Sequence, residues 1–209
     1  MLTPTPQGRA MAGLDDLPAR IRAFIALDMN VAVKDAIDKF TSELRTPRDA
    51  ISWVRGDKLH LTLRFLGDAV DSRRLPQLAG ELEEVAAAAA PFVIRLRGTG
   101  AFPNLDRPRV LWIGLESPEL IGFAARVEAA AVAGGFDAEP RPYAPHLTIA
   151  RVREPHRFRT LRPAFEQYAS RDFGIVEARA MTLYRSRLAP EGATYEPLAA
   201  FGLGATLRG

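Results

Sequence analysis

At 209 residues the chain is long enough for one compact domain or two closely packed lobes. A hydrophobic fraction of 47% and a charged fraction of 25% are those of an ordinary globular protein, no apolar run is long enough to span a bilayer, and the lack of cysteine excludes disulfides, thiol nucleophiles and cysteine metal sites. A formal net charge of +3 is too small by itself to identify a polyanionic partner, although arginine far outnumbers lysine and suits phosphate recognition.

Residues 1–20 lack the apolar stretch of a signal peptide, and their Pro, Gly and Thr content reads as a flexible tail. That leaves residues 21–209 as a single domain, with a cytoplasmic location expected. Arg22 to Leu27 reads as a buried strand. Val33, Ile37, Phe40 and Leu44 then form a helical stripe that Pro47 ends. Ile51–Val54 is a short strand, and Leu59 to Leu66 another that Gly67 stops. Ser72 is placed to cap a helix with Leu75, Leu78, Leu82, Val85 and Ala89 on its apolar face, before Pro91 and a strand over Phe92–Leu96.

Val110 to Leu115 opens the second half as a strand. Ser117-Pro118 starts a helix lined by Leu120, Ala124, Val127 and Ala131 and ended by Gly134-Gly135. A strand over 145–152, a short helix carrying Leu161, Phe165 and Tyr168, and two last strands near 175–187 and 195–201 complete the pattern. The halves read as a duplication: Phe24 precedes His60 by 36 positions, and Val110 precedes His146 by 36. Each half gives strand, helix, and a strand bearing His-x-Thr, so an α+β fold of two pseudo-symmetric lobes with antiparallel sheets is expected, the motifs facing each other.

In a strand, residues two apart share a face, so His60 pairs with Thr62 and His146 with Thr148 while leucines and isoleucine fill the opposite faces. One neutral and one protonated imidazole can supply a base and an acid, and the threonine hydroxyls can donate to phosphate oxygens. A single His-x-Thr in a strand is commonplace. Two copies at matching places, using two of three histidines, point to catalysis. Zinc is disfavoured because cysteine is absent and threonine is a poor ligand. His156, among arginines after Pro155, reads as a surface residue.

With Trp53-Val54, His60-Leu61-Thr62-Leu63-Arg64-Phe65-Leu66-Gly67, Gly100-Ala101-Phe102-Pro103, Pro145-His146-Leu147-Thr148-Ile149-Ala150-Arg151 and Leu183-Tyr184-Arg185-Ser186, the chain resembles the RNA 2′,3′-cyclic phosphodiesterases, or 2′-5′ RNA ligases, of the 2H phosphoesterase superfamily. The resemblance implies two small antiparallel sheets with helices on their outer faces around a central groove, and neither metal nor organic cofactor. It implies an RNA substrate ending in a 2′,3′-cyclic phosphate and opened to a 2′-phosphate, with 2′-5′ ligation as the reverse reaction. No membrane partner and a monomer are expected. The resemblance makes His146 the base and His60 the acid, which the near-symmetric motifs do not decide, and gives Arg151 a phosphate-binding role. In an unbroken strand Arg151 would face away from His146 and Thr148, so either the strand bulges after Ile149 or Arg151 acts from the rim. Phe65, at the matching place, reads as core, with stacking on a base as the other possibility. A phosphodiesterase for small cyclic nucleotides and a non-catalytic nucleotide- or RNA-binding module remain the alternatives.

Overall fold

The computed structural model describes residues 14, 16–46, 50–189 and 192–204. Most of the expected tail and the Pro47 helix stop lie outside these residues; within them, Leu14 is buried and Leu17 packs against the core. Among the described residues, nine strands and four α-helices follow in the order β1 (Arg20–Asp28), α1 (Val31–Leu44), β2 (Ile51–Trp53), β3 (His60–Asp71), α2 (Leu75–Ala87), β4 (Phe92–Phe102), β5 (Val110–Glu116), α3 (Pro118–Ala133), β6 (His146–Val152), α4 (Phe158–Glu166), β7 (Asp172–Ala178), β8 (Ala180–Arg187) and β9 (Thr194–Gly202).

The strands form two antiparallel sheets, a first of order β3-β1-β8-β9 and a second of order β2-β6-β5-β4-β7. One motif strand therefore lies in each sheet. The α+β, two-lobed expectation holds, with one refinement. The helix inside each repeat packs on the other repeat's sheet: α1 lies against β7, whereas α3 lies against β3 and α2. Amphipathic stripes explain the docking, because Val33, Ile37, Phe40 and Leu44 of α1 and Leu120, Phe123, Ala124 and Val127 of α3 are all buried. Asn30 fixes the entry to α1, its side chain accepting from the Val33 amide (2.9 Å) while its amide donates to Ile175 O of β7 (2.9 Å).

Three local expectations are corrected. Gly67 does not end β3; the strand runs on through it at φ 139°, which glycine alone adopts freely, to Asp71. Asp71 rather than Ser72 does the capping, its carboxylate accepting from the Arg73 amide (3.1 Å) at the head of a 3-10 turn that leads into α2. The single strand expected near 175–187 is two strands in different sheets, parted at Arg179. The apolar positions change phase across the break, from Val176 and Ala178 to Met181 and Leu183, so the two strands turn residues of opposite parity inward.

Behind β3, the buried Arg64 guanidinium joins the sheet to the α3 side of the molecule. It meets Glu128, donates to Asp137 O and lies 3.3 Å from Glu139. Among the described residues no helix is long and apolar enough to cross a membrane.

Candidate active site

Both motif strands carry a bulge at the same place. On β3, Thr62 pairs with Ala26 but Arg64, two residues on, pairs with the next residue, Ile25, so Leu63 is the extra residue. On β6, Thr148 pairs with Trp112 but Ala150 pairs with Leu111, so Ile149 is extra. An extra residue reverses the alternation of faces beyond it. Arg151, opposite Val110 and Ser52, is thus turned onto the face of His146 and Thr148. The same shift corrects the core reading of Phe65. It stands opposite Phe24, on the face of His60 and Thr62, half-buried, with the Arg22 guanidinium 4.4 Å from its ring centre. Arg64 and Ala150 take the buried positions instead.

The histidines are held alike. His60 Nδ1 lies 2.9 Å from Lys58 O, and His146 Nδ1 lies 2.7 Å from Ala144 O. A carbonyl can only accept, so each Nδ1 carries the proton and each Nε2 keeps its lone pair for chemistry when the ring is neutral. Aromatic rings fix the imidazole planes: Phe24 (4.7 Å) and edge-on Tyr195 (4.8 Å) for His60, edge-on Phe102 (4.9 Å) for His146. Trp112 shares the face of His146 and Thr148, and its indole lies over Gly100, where a Cβ would come within 2.3 Å of the ring. The buried Trp112 Nε1 has no hydrogen-bond partner among the described residues.

The two motif strands approach each other between the sheets. Tyr143, three residues before His146, donates to Thr62 O (3.3 Å), tying one motif to the other. Tyr195, beside His60, also sits close enough to Arg151 and Arg22 to feel their charges. The Tyr143 bond and Tyr195 thus link the first motif to the strand that carries His146, Thr148 and Arg151. His156 is exposed, with Nε2 3.5 Å from Glu154, as expected of a surface residue. Two surface cavities, one beside Asp38, Arg45 and Arg55 and one beside Arg20, Arg74 and Glu139, include neither histidine and neither threonine of the motifs. Among the described residues no cluster of three or more His, Asp or Glu is arranged to hold a metal ion.

Burial pushes the His60 pKa below its ordinary value of 6.5, and Lys34 adds to this. The Lys58 carbonyl and the Asp28 carboxylate act in the opposite sense without overcoming it. A folded pKa below the unfolded one means that the stability from neutral His60 is complete above pH 6.5 and is lost as pH falls through the folded value. Thermal melts between about pH 7.5 and pH 5 should therefore show a smaller acid loss of Tm for His60→Gln than for the parent. Equal losses would mean that His60 titrates as in the unfolded chain.

Several lining residues had no signal in the sequence. Asp28 and Tyr195 join the site only through sheet register and no motif marks them, whereas Phe24 and Tyr184 lie in segments that read only as strands, with no role attached to either side chain.

The LigT like Phosphoesterase family matches the chain over residues 27–112 and again over 113–195, one motif in each match. The chain is 35% identical to the RNA 2′,3′-cyclic phosphodiesterase of Methanocaldococcus jannaschii, over 84% of this chain and 97% of that one. It is 31% identical to the protein of the same name from Methanothermobacter thermautotrophicus, over 88% and 100%. Among solved structures, a Thermus thermophilus protein superposes with a TM-score of 0.73 at 30% identity, covering 88% of this chain and 98% of that one. Escherichia coli LigT complexed with 3′-AMP gives 0.70 at 25% identity, covering 89% and 99%.

Proposed function

This chain belongs to the LigT-like phosphoesterase family of the 2H phosphoesterases, and on that premise we propose that it opens 2′,3′-cyclic phosphate ends of RNA to 2′-phosphates through its two motif histidines. The general activity of the family is RNA 2′,3′-cyclic phosphodiesterase. The observation that carries the residue-level reading is the twin histidine arrangement, each Nδ1–H anchored to a carbonyl two residues upstream and each Nε2 left for proton transfer.

In the hydrolytic step His146 Nε2 takes a proton from water, the water oxygen bonds to phosphorus, the P–O3′ bond breaks, and His60 Nε2–H delivers its proton to O3′. Thr62, Thr148 and Arg151 donate to the non-bridging oxygens, whose charge grows in the transition state. A 5′-hydroxyl in place of water would give a 2′-5′ linkage by the same step. One observation favours the opposite division of roles: burial favours the neutral, base form of His60.

No step draws on a metal. Hydrolysis of a cyclic-phosphate-terminated oligonucleotide should therefore change less than about twofold on adding a chelator, since the barrier reduction comes from side-chain proton transfer and hydrogen bonds. Strong inhibition that zinc or magnesium reverses would refute this. In the same assay the oligonucleotide should have a higher kcat/KM than a nucleoside 2′,3′-cyclic phosphate. Equal values would favour a small-nucleotide enzyme, and binding without turnover a recognition module.

A further inference from the structure

The near symmetry of the two motifs breaks at one position. In the ladders, Asp28 stands directly opposite His60, whereas Gly114 stands directly opposite His146. Directly opposed residues of antiparallel strands share a face, with Cβ atoms about 5 Å apart. One histidine therefore has a carboxylate as its cross-strand neighbour, and the other has no side chain there at all. A Cβ at position 114 would sit 2.6 Å from Arg97 O, so the backbone of β4 keeps the second place empty.

Asp28 is exposed, yet it is held. Tyr184 Oη donates to its Oδ1 (2.7 Å), and Thr182 Oγ1 lies 3.4 Å from its Oδ2. Both partners come from β8, which pairs with β1 on the side away from β3. The carboxylate is thus braced from one side and presented toward His60 on the other.

We propose that Asp28 is a positioning residue that distinguishes the two histidines: clamped by Tyr184 and Thr182 and paired across the ladder with His60, its carboxylate favours the protonated imidazole and so supports the use of His60 as the acid, a support that His146, opposite Gly114, lacks. This rests on the two-histidine reading above. The charged and titratable groups facing His60 are Asp28 from β1, Lys34 from α1 and Tyr195 from β9, with the Lys58 carbonyl on Nδ1. Tyr195 in turn faces Arg22 and Arg151. Asp28 is the only anion in that set. It opposes burial and Lys34, the two influences that would strip His60 of its proton. Removing the carboxylate leaves them unopposed, so His60 loses its proton at lower pH.

The test is the pH dependence of kcat/KM for Asp28→Asn, which reports groups of the free enzyme. The alkaline limb, set by loss of the acid's proton, should move to lower pH by about one unit, with an activity loss of about tenfold above it and little change below it. Asp28→Glu should restore most of the limb. Tyr184→Phe, which loosens the clamp and keeps the carboxylate, should move it by a smaller amount in the same direction. A substrate with sulfur at the 3′ position barely needs an acid, and Asp28→Asn should turn it over at close to the parent rate. An unmoved limb, a uniform loss at all pH on both substrates, or a moved acidic limb would each overturn the proposal. Parent-like turnover by His60→Ala and His146→Ala would instead remove the underlying two-histidine reading, whatever Asp28→Asn does.

Discussion

Replacing His60 or His146 by alanine should lower kcat by about 10² to 10⁴, or roughly 3–5 kcal/mol of transition-state stabilisation, because each removes one proton-transfer group. The two variants should differ on a 3′-thio substrate. A thiolate leaves without protonation, so His60→Ala should recover much of its lost rate while His146→Ala stays slow. The reverse pattern would exchange the roles. The loss should be kinetic rather than structural, since neither ring is fully buried and each is held by a single carbonyl and flanking aromatics. Melting temperatures close to the parent's at neutral pH would establish that. Rates close to the parent's in either variant would end the acid/base account.

Thr62→Val and Thr148→Val are expected to cost about 10² to 10³ in kcat each, near 3 kcal/mol, the usual result of deleting one donor to a developing negative charge. Valine keeps the branched shape suited to a strand and removes only the hydroxyl. Neither threonine is buried, so folding stability should change little. The expected signature is a fall in kcat with KM nearly unchanged, because the bond strengthens as charge moves onto the non-bridging oxygens. A raised KM at constant kcat would make the threonines ground-state binders instead.

What the sequence disclosed follows from what each signal depends on. The motif strands, the duplicated spacing and the apolar stripes of α1 and α3 are local periodicities, and they were legible. The bulges at Leu63 and Ile149 were not, because an extra residue is defined by its neighbour strand rather than by its own side chain. That single geometric feature decided two residues in opposite senses, bringing Arg151 onto the histidine face and taking Phe65 out of the core. The packing of α1 and α3 on each other's sheets is likewise a tertiary choice, since an amphipathic helix fits either sheet, whereas the break at Arg179 does leave a trace, a change of apolar phase between Ala178 and Met181. Asp28 illustrates the same limit. An aspartate at the end of an apolar strand reads as a strand terminus, and its meaning comes only from standing opposite His60.

The fate of one RNA terminus tests the two-histidine mechanism most directly. An oligonucleotide ending in a 2′,3′-cyclic phosphate, incubated with the parent and with the His60→Ala/His146→Ala double variant in chelator, should be converted by the parent to a 2′-phosphate with a free 3′-hydroxyl. The double variant should not exceed the uncatalysed rate. Turnover of the cyclic end by the double variant at the parent's rate would contradict the central claim.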